Sequence, residues 1–198
     1  MFEFQETVQI TLPQVQGSMA KFSESDFRES HGLIVEIAAI HEGVTSNFNE
    51  YSASELANSV SSWFNPYPKP IILHHDAMQE PLGRVIGARM DQEADGTPYI
   101  KIQAAITDPE AIKKVMDKRY LTGSVGGKAQ EAVCSICDTD WAAPRESAGP
   151  PCRHRRGRAY KGEIATIRMK NVEFKEYSFV NVPADSHSQV KSIKNAEE

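Results

Sequence analysis

The sequence predicts an α+β protein built around a small barrel or closed sheet that carries one irregular insertion. Three observations lead there. Roughly six or seven short runs have strand character, and two segments carry helix start signals. The stretch 131–161, rich in Cys, Pro, Gly and Arg, follows neither period. The 198 residues are enough for one full-sized core, and their 40% hydrophobic and 25% charged content is ordinary for a globular chain. A net charge of -5 disfavours wholesale coating of nucleic acid.

Taken in order, "MFEFQETVQI" lacks a basic segment followed by an apolar run, so no export signal is expected. "GLIVEIAAI" (32–40) reads as a buried strand; it is short and carries Glu36, which rules it out as a bilayer span. "SASELANSVSSWF" (52–64) reads as a helix with a serine cap, Glu55 in its first turn, and Leu56, Val60, Trp63 and Phe64 on one side. Prolines 66, 68 and 70 stop it and force an extended approach to "IILHH" (71–75). That run, "GRVIGARM" (83–90) and "PYIKIQAAI" (98–106) are strand candidates, with Asp95-Gly96 as the turn between the last two. "DPEAIKKVMDKR" opens with an aspartate cap and proline at the first helical position, which predicts a helix. "YLTGSVGG" (120–127) then reads as a strand, and strand character returns at "GEIATIRM" and "VEFKEYSFVNV". The polar residues 187–198 are expected to form a flexible tail.

All three cysteines and a histidine fall within the insertion as Cys134-x-x-Cys137, then Cys152-x-His154. Three cysteines cannot all pair within one chain, and their clustering points to a reducing compartment and a metal. Thiolates with a neutral imidazole suit tetrahedral zinc, and four protein ligands leave no position for a reactive water, so the expected site is structural. Metal binding would also supply the free energy needed to order a long loop with few apolar anchors. The adjoining run "CRHRRGRAYK" places Arg153, Arg155, Arg156, Arg158 and Lys161 together. It reads as a solvated rim of that loop, or as a patch for a phosphate backbone or an acidic protein partner.

A second constellation involves Ser124, set among Gly123, Gly126 and Gly127. A serine hydroxyl becomes a nucleophile only with a general base in reach and a third group fixing that base. In "IILHHD", period-2 alternation puts Ile71, Leu73 and His75 on one face and Ile72, His74 and Asp76 on the other. In the last strand the same alternation places Glu176 in a row with Val172, Phe174, Ser178, Val180 and Val182. A carboxylate in such a row needs a partner, and a histidine is the natural one. The glycines would allow close approach of a substrate backbone and present N–H groups to an oxyanion.

Three blocks, "ILHHDAMQEPLGRV", "YLTGSVGG" and "FKEYSFVNVPAD", together resemble the prohead maturation proteases of tailed bacteriophages, a group distantly related in fold to the herpesvirus assemblins. The resemblance rests on His75-Asp76 followed by Gly83-Arg84-Val85, on Ser124-Val125-Gly126, and on Glu176 through Pro183-Ala184, and it spans roughly residues 32–186. It implies a small assemblin-like antiparallel β-barrel flanked by helices, with the zinc knuckle as an insertion in a single protease domain, residues 1–186. It further implies a serine endopeptidase with Ser124 as nucleophile, His75 as general base in preference to His74, and Glu176 as the orienting acid. The implied substrates are scaffold and major capsid protein, with self-cleavage, inside the prohead in the host cytoplasm; a homo-oligomer is left open. Two other classes fit parts of the sequence. One is a non-catalytic, zinc-stabilised capsid or scaffold-binding protein of protease-like fold, and the other a nucleic-acid-binding zinc module using the arginine run.

Overall fold

The structure is a computed structural model that describes residues 32–144 and 150–195. Its eleven strands are β1 (Leu33–His41), β2 (Gly43–Val44), β3 (Asn49–Tyr51), β4 (Pro70–Leu73), β5 (Gly83–Gln92), β6 (Pro98–Ile106), β7 (Gly123–Cys134), β8 (Ala159–Tyr160), β9 (Glu163–Ile164), β10 (Ile167–Phe179) and β11 (Gln189–Asn195). Two short helices, α1 (Ala53–Ser59) and α2 (Pro109–Met116), accompany them, and a 3₁₀ turn (Val60–Trp63) extends α1. The caps expected from the sequence are made: Ser52 accepts the Glu55 N–H at 3.3 Å, and Asp108 accepts the Ala111 N–H at 2.6 Å.

The chain is thus α+β and mostly sheet, but the sheet is neither fully antiparallel nor closed into a barrel. Its order is β11-β1-β6-β5-β4-β10-β3-β2, with β7 attached to β10 off that path. The reason lies in β10. One of its edges pairs with β7 along almost its full length, while the other pairs in parallel with β3 at Ile167–Arg168 and with β4 at Tyr177–Phe179. A strand with three partners branches a sheet. Strand β11 meets the leading end of β7 only through the Thr122–Gln189 bridge and its flanking hydrogen bonds, which is too little ladder for closure.

Between β3 and β4 the free edge of β10 is covered by α1 and its 3₁₀ extension. Glu55 Oε2 accepts the Asn171 N–H at 2.8 Å, and the buried Ser62 hydroxyl accepts the Phe174 N–H at 3.0 Å. Side chains thereby complete the hydrogen bonding that a neighbouring strand would otherwise supply. Packing reinforces the join: Trp63 stacks on Phe174 with ring centroids 5.0 Å apart, and Leu56 and Trp63 are fully buried in the core with Ile37, Ile71, Ile100, Ile102, Tyr177 and Phe179.

Two local expectations are corrected. The polar tail is not loose throughout, since Gln189–Asn195 forms an edge strand against β1, with Val190 opposite Ile37 and Ile193 opposite Val35. Its polar composition suits a strand with one face open to solvent. The strand "IILHH" ends at Leu73, and both histidines lie beyond it in a tight turn closed by the Asp76 N–H to the Leu73 carbonyl, 3.0 Å. His74 (φ 54°) and His75 (φ 58°) occupy the two central, left-handed positions, as a type I′ turn requires. The alternation expected for His74, His75 and Asp76 therefore does not exist.

Candidate active site and metal cluster

Strand alternation also fails at Glu176, and the failure shapes the site. Phe174 lies opposite Gly127 and Glu176 opposite Gly126, so Lys175 is an extra residue in β10, a β-bulge. The bulge swaps the faces. Phe174 points into the core, but so do Tyr177 and Phe179 beyond it, leaving Glu176 and Ser178 on the opposite side. Glu176 is not part of the apolar row with Val172 and Phe174, as the sequence had suggested. It is aimed away from the core, towards the histidine turn.

There it meets His75. The His75 Nδ1–H donates to Glu176 Oε1 at 2.7 Å; the imidazole is about half exposed and the carboxylate mostly covered. A carboxylate on Nδ1 selects the tautomer whose lone pair sits on Nε2, the atom a general base uses. The Ser178 hydroxyl donates to Glu176 Oε2 at 2.7 Å and accepts the His75 main-chain N–H at 3.0 Å. His74, the rival base, is exposed, and its main-chain N–H donates to the Phe179 carbonyl at 3.1 Å.

Ser124 stands directly opposite Ser178 in the β7–β10 ladder. Side chains of directly opposed residues share a face with Cβ atoms about 4.5–5.5 Å apart, so Ser124 lies on the Glu176–Ser178 face, with no hydrogen bond to His75 among the described residues. It is half-buried, and its hydroxyl has no partner among the described residues.

Two of the glycines around it make room for neighbouring side chains. A Cβ on Gly126 would overlap the Glu176 carboxylate, and one on Gly123 would overlap the Tyr177 ring. Gly126 is the gap into which Glu176 folds to reach His75. Beside Glu176 lies a groove of about 640 Å³, lined by Tyr67, Pro68, Pro70, Ile72, Pro81, Arg84 and Lys175 among others.

The second constellation also assembles. One ligand atom from each of Cys134, Cys137, Cys152 and His154 lies within 4.8 Å of the others, and all three cysteines are free. Tetrahedral zinc with Zn–S near 2.3 Å places ligand atoms about 3.8 Å apart, so this set could hold a metal ion after small adjustments. Cys134 Sγ and His154 Nδ1 already lie 3.8 Å apart. Cys134 ends β7, and the turn after it is closed by the Asp138 N–H to its carbonyl. The Trp141 indole N–H donates to Cys152 Sγ at 3.3 Å, an outer contact suited to a thiolate. Burial pushes the Cys134 thiol up, whereas the Thr139 hydroxyl and N–H hold Cys137 down to about 6. Arg153, Arg155, Arg156 and Arg158 rim this cluster, all exposed.

One network escapes the sequence reading. His41, buried at the end of β1, takes Asp185 Oδ2 on both its main-chain N–H (2.7 Å) and Nδ1 (2.8 Å), with Glu93 Oε1 3.0 Å from Nε2. Burial works against its charged form, but the hydrogen bonds to Asp185 and Glu93 win and raise its pKa above the usual histidine value. Asp185 is held below the usual carboxylate range: burial opposes its charge, and the hydrogen bonds from His41 and the His187 N–H overcome that. The only signal in the sequence was a polar residue ending an apolar strand, which spacing alone does not link to an aspartate 144 positions later.

The chain matches no family model and no curated protein. No helix among the described residues is long and apolar enough to cross a membrane.

Proposed function

We propose that the protein is a serine endopeptidase of the prohead-maturation kind, cutting scaffold and capsid-protein propeptides and eventually itself. The observation that carries the reading is the His75 Nδ1–Glu176 Oε1 hydrogen bond of 2.7 Å, formed on the sheet face that the ladder register assigns to Ser124. His75 and Glu176 meet although 101 positions separate them, and in chain order the proposed base, nucleophile and acid are His75, Ser124 and Glu176. A core-stabilising histidine would not need an exposed ring, a left-handed backbone and a bulge that redirects its carboxylate.

In this mechanism Ser124 Oγ attacks the scissile carbonyl carbon while His75 Nε2 takes the hydroxyl proton. The imidazolium, steadied by Glu176, then gives that proton to the leaving amine, and water repeats the sequence on the acyl-enzyme. The groove beside Glu176 offers an apolar floor for an extended peptide. For the Cys134, Cys137, Cys152 and His154 cluster we propose zinc, held by four protein ligands and therefore structural. Zinc there would fix the far end of β7, the strand that carries Ser124, and take no part in the reaction.

The test is incubation of purified protein with its scaffold and capsid proteins, followed by sequencing of new termini. Wild type should generate defined termini, and Ser124→Ala should lose on the order of 10⁴-fold in rate. Equal processing by Ser124→Ala would remove the assignment. No processing by either protein would favour a non-catalytic, scaffold-binding role.

A further inference from the structure

We infer that Ser178 is the positioning residue of this site, a single buried hydroxyl that fixes both the main chain of the base and the carboxylate that orients its ring. This rests on the endopeptidase reading for its catalytic consequence, though the hydrogen-bonded ring itself does not.

The ring is closed. From the His75 N–H the path runs to Ser178 Oγ, through its hydroxyl proton to Glu176 Oε2, across the carboxylate to Oε1, and back through Nδ1–H to the same histidine. Each polar atom in it is used once, in the direction its protons allow. Ser178 is fully buried, so it is closed to substrate and does not compete with Ser124 as nucleophile. Its position is set from three sides: Ser124 opposite on β7, Ile72 opposite on β4, and the core residues Tyr177 and Phe179 as chain neighbours.

Both things it holds need holding. His75 sits at a left-handed position of its turn, a conformation that carries a steric cost for a residue with a Cβ. Glu176 follows a bulge that turns its face of the strand away from the core, and the ladder sets that face but not where the two carboxylate oxygens point. With Oε2 held by Ser178, Oε1 is the oxygen presented to Nδ1. Without that hydroxyl, Oε1 and Oε2 become equivalent, and the His75 N–H loses its partner.

The test needs no identified substrate. Purified wild type, Ser178→Ala and Ser178→Thr are treated with diisopropyl fluorophosphate, and the maximal inactivation rate and half-saturating concentration are measured separately. In parallel, ¹⁵N NMR of the imidazole reads the His75 tautomer. We expect Ser178→Ala to lower the maximal rate about 10- to 100-fold, with little change in half-saturation and a shift from the Nδ1–H form to a tautomer mixture. Threonine, which keeps the hydroxyl, should restore both. Wild-type rate and tautomer in Ser178→Ala would overturn the inference, as would a loss in Ser178→Ala that threonine fails to restore. If Ser178→Ala does not fold, Ser178→Cys replaces it, and the weak thiol donor should give an intermediate rate and tautomer ratio. A wild type inert to the reagent yet holding a fixed, Ser178-dependent tautomer would sink the endopeptidase reading and leave the positioning role standing.

Discussion

At the scale of single residues, the site depends on side chains whose directions a simple period does not give. Gly126 is the clearest case: its missing Cβ is where the Glu176 carboxylate lies. Gly126→Ala should displace that carboxylate and, under the proposed peptidase function, lower the rate by at least about 10-fold while leaving the ladder intact; wild-type kinetics in this variant would show that Glu176 does not need its present position. Glu176→Gln should do more, because an amide can present its N–H₂ to Nδ1 and stabilise the wrong tautomer, a change on the order of 10⁴-fold in a comparable serine-histidine-acid site. The sequence suggests His75, Ser124 and Glu176 as base, nucleophile and acid, and of these the structure joins His75 to Glu176. Their geometry was legible only in part. The left-handed turn at His74-His75 and the bulge at Lys175 both break period 2, and each break changes the facing of the residue that matters.

At the scale of elements, α1 shows how much of the fold local signals carried. Ser52, Glu55, Leu56 and Trp63 all do what their positions implied, and Glu55 and Ser62 also serve the edge of β10, which no local pattern reveals. Strand β11 escapes local signals for the opposite reason, since a polar edge strand resembles a tail until its partner β1 is known. The Cys134, Cys137, Cys152 and His154 cluster was legible because Cys-x-x-Cys is a spacing that ligand geometry favours, and the nearby Cys-x-His supplies the remaining two side chains. Stripping metal with a chelator should release amide-exchange protection around Cys134–Asp138 and Cys152–His154 while protection in β1, β5 and β6 persists; unchanged exchange would argue against a bound ion. The His41 network joins the end of β1 to the loop before β11, and Glu93, His187, Lys191 and Tyr99 face it. Because His41 is raised above its ordinary 6.5, its stabilisation is full below that pH and lost as pH climbs through the folded value. Asp185, lowered from 3.8, contributes above that pH and loses its contribution as acid carries the pH below its folded value. Thermal stability should therefore decline above about pH 6.5, and His41→Asn should flatten that decline; an equal slope in the variant would place its cause elsewhere.

At the scale of the whole molecule, a branched sheet brings three distant segments to one place. Strand β10 runs between β7, which carries Ser124, and β4, whose closing turn carries His75, and it contributes Glu176 itself. The sheet need not close for this to work; it needs only β10 in the middle. That arrangement explains why the three sequence blocks are far apart yet ordered, and it leaves the Cys134, Cys137, Cys152 and His154 cluster at the opposite end of β7 from Ser124. The most direct measurement is peptide mapping after treatment with a biotinylated fluorophosphonate. Covalent label on Ser124 alone, abolished in His75→Ala, is the expected result. Label on Ser178 or another serine, or labelling of Ser124 that persists without the histidine, would contradict the account.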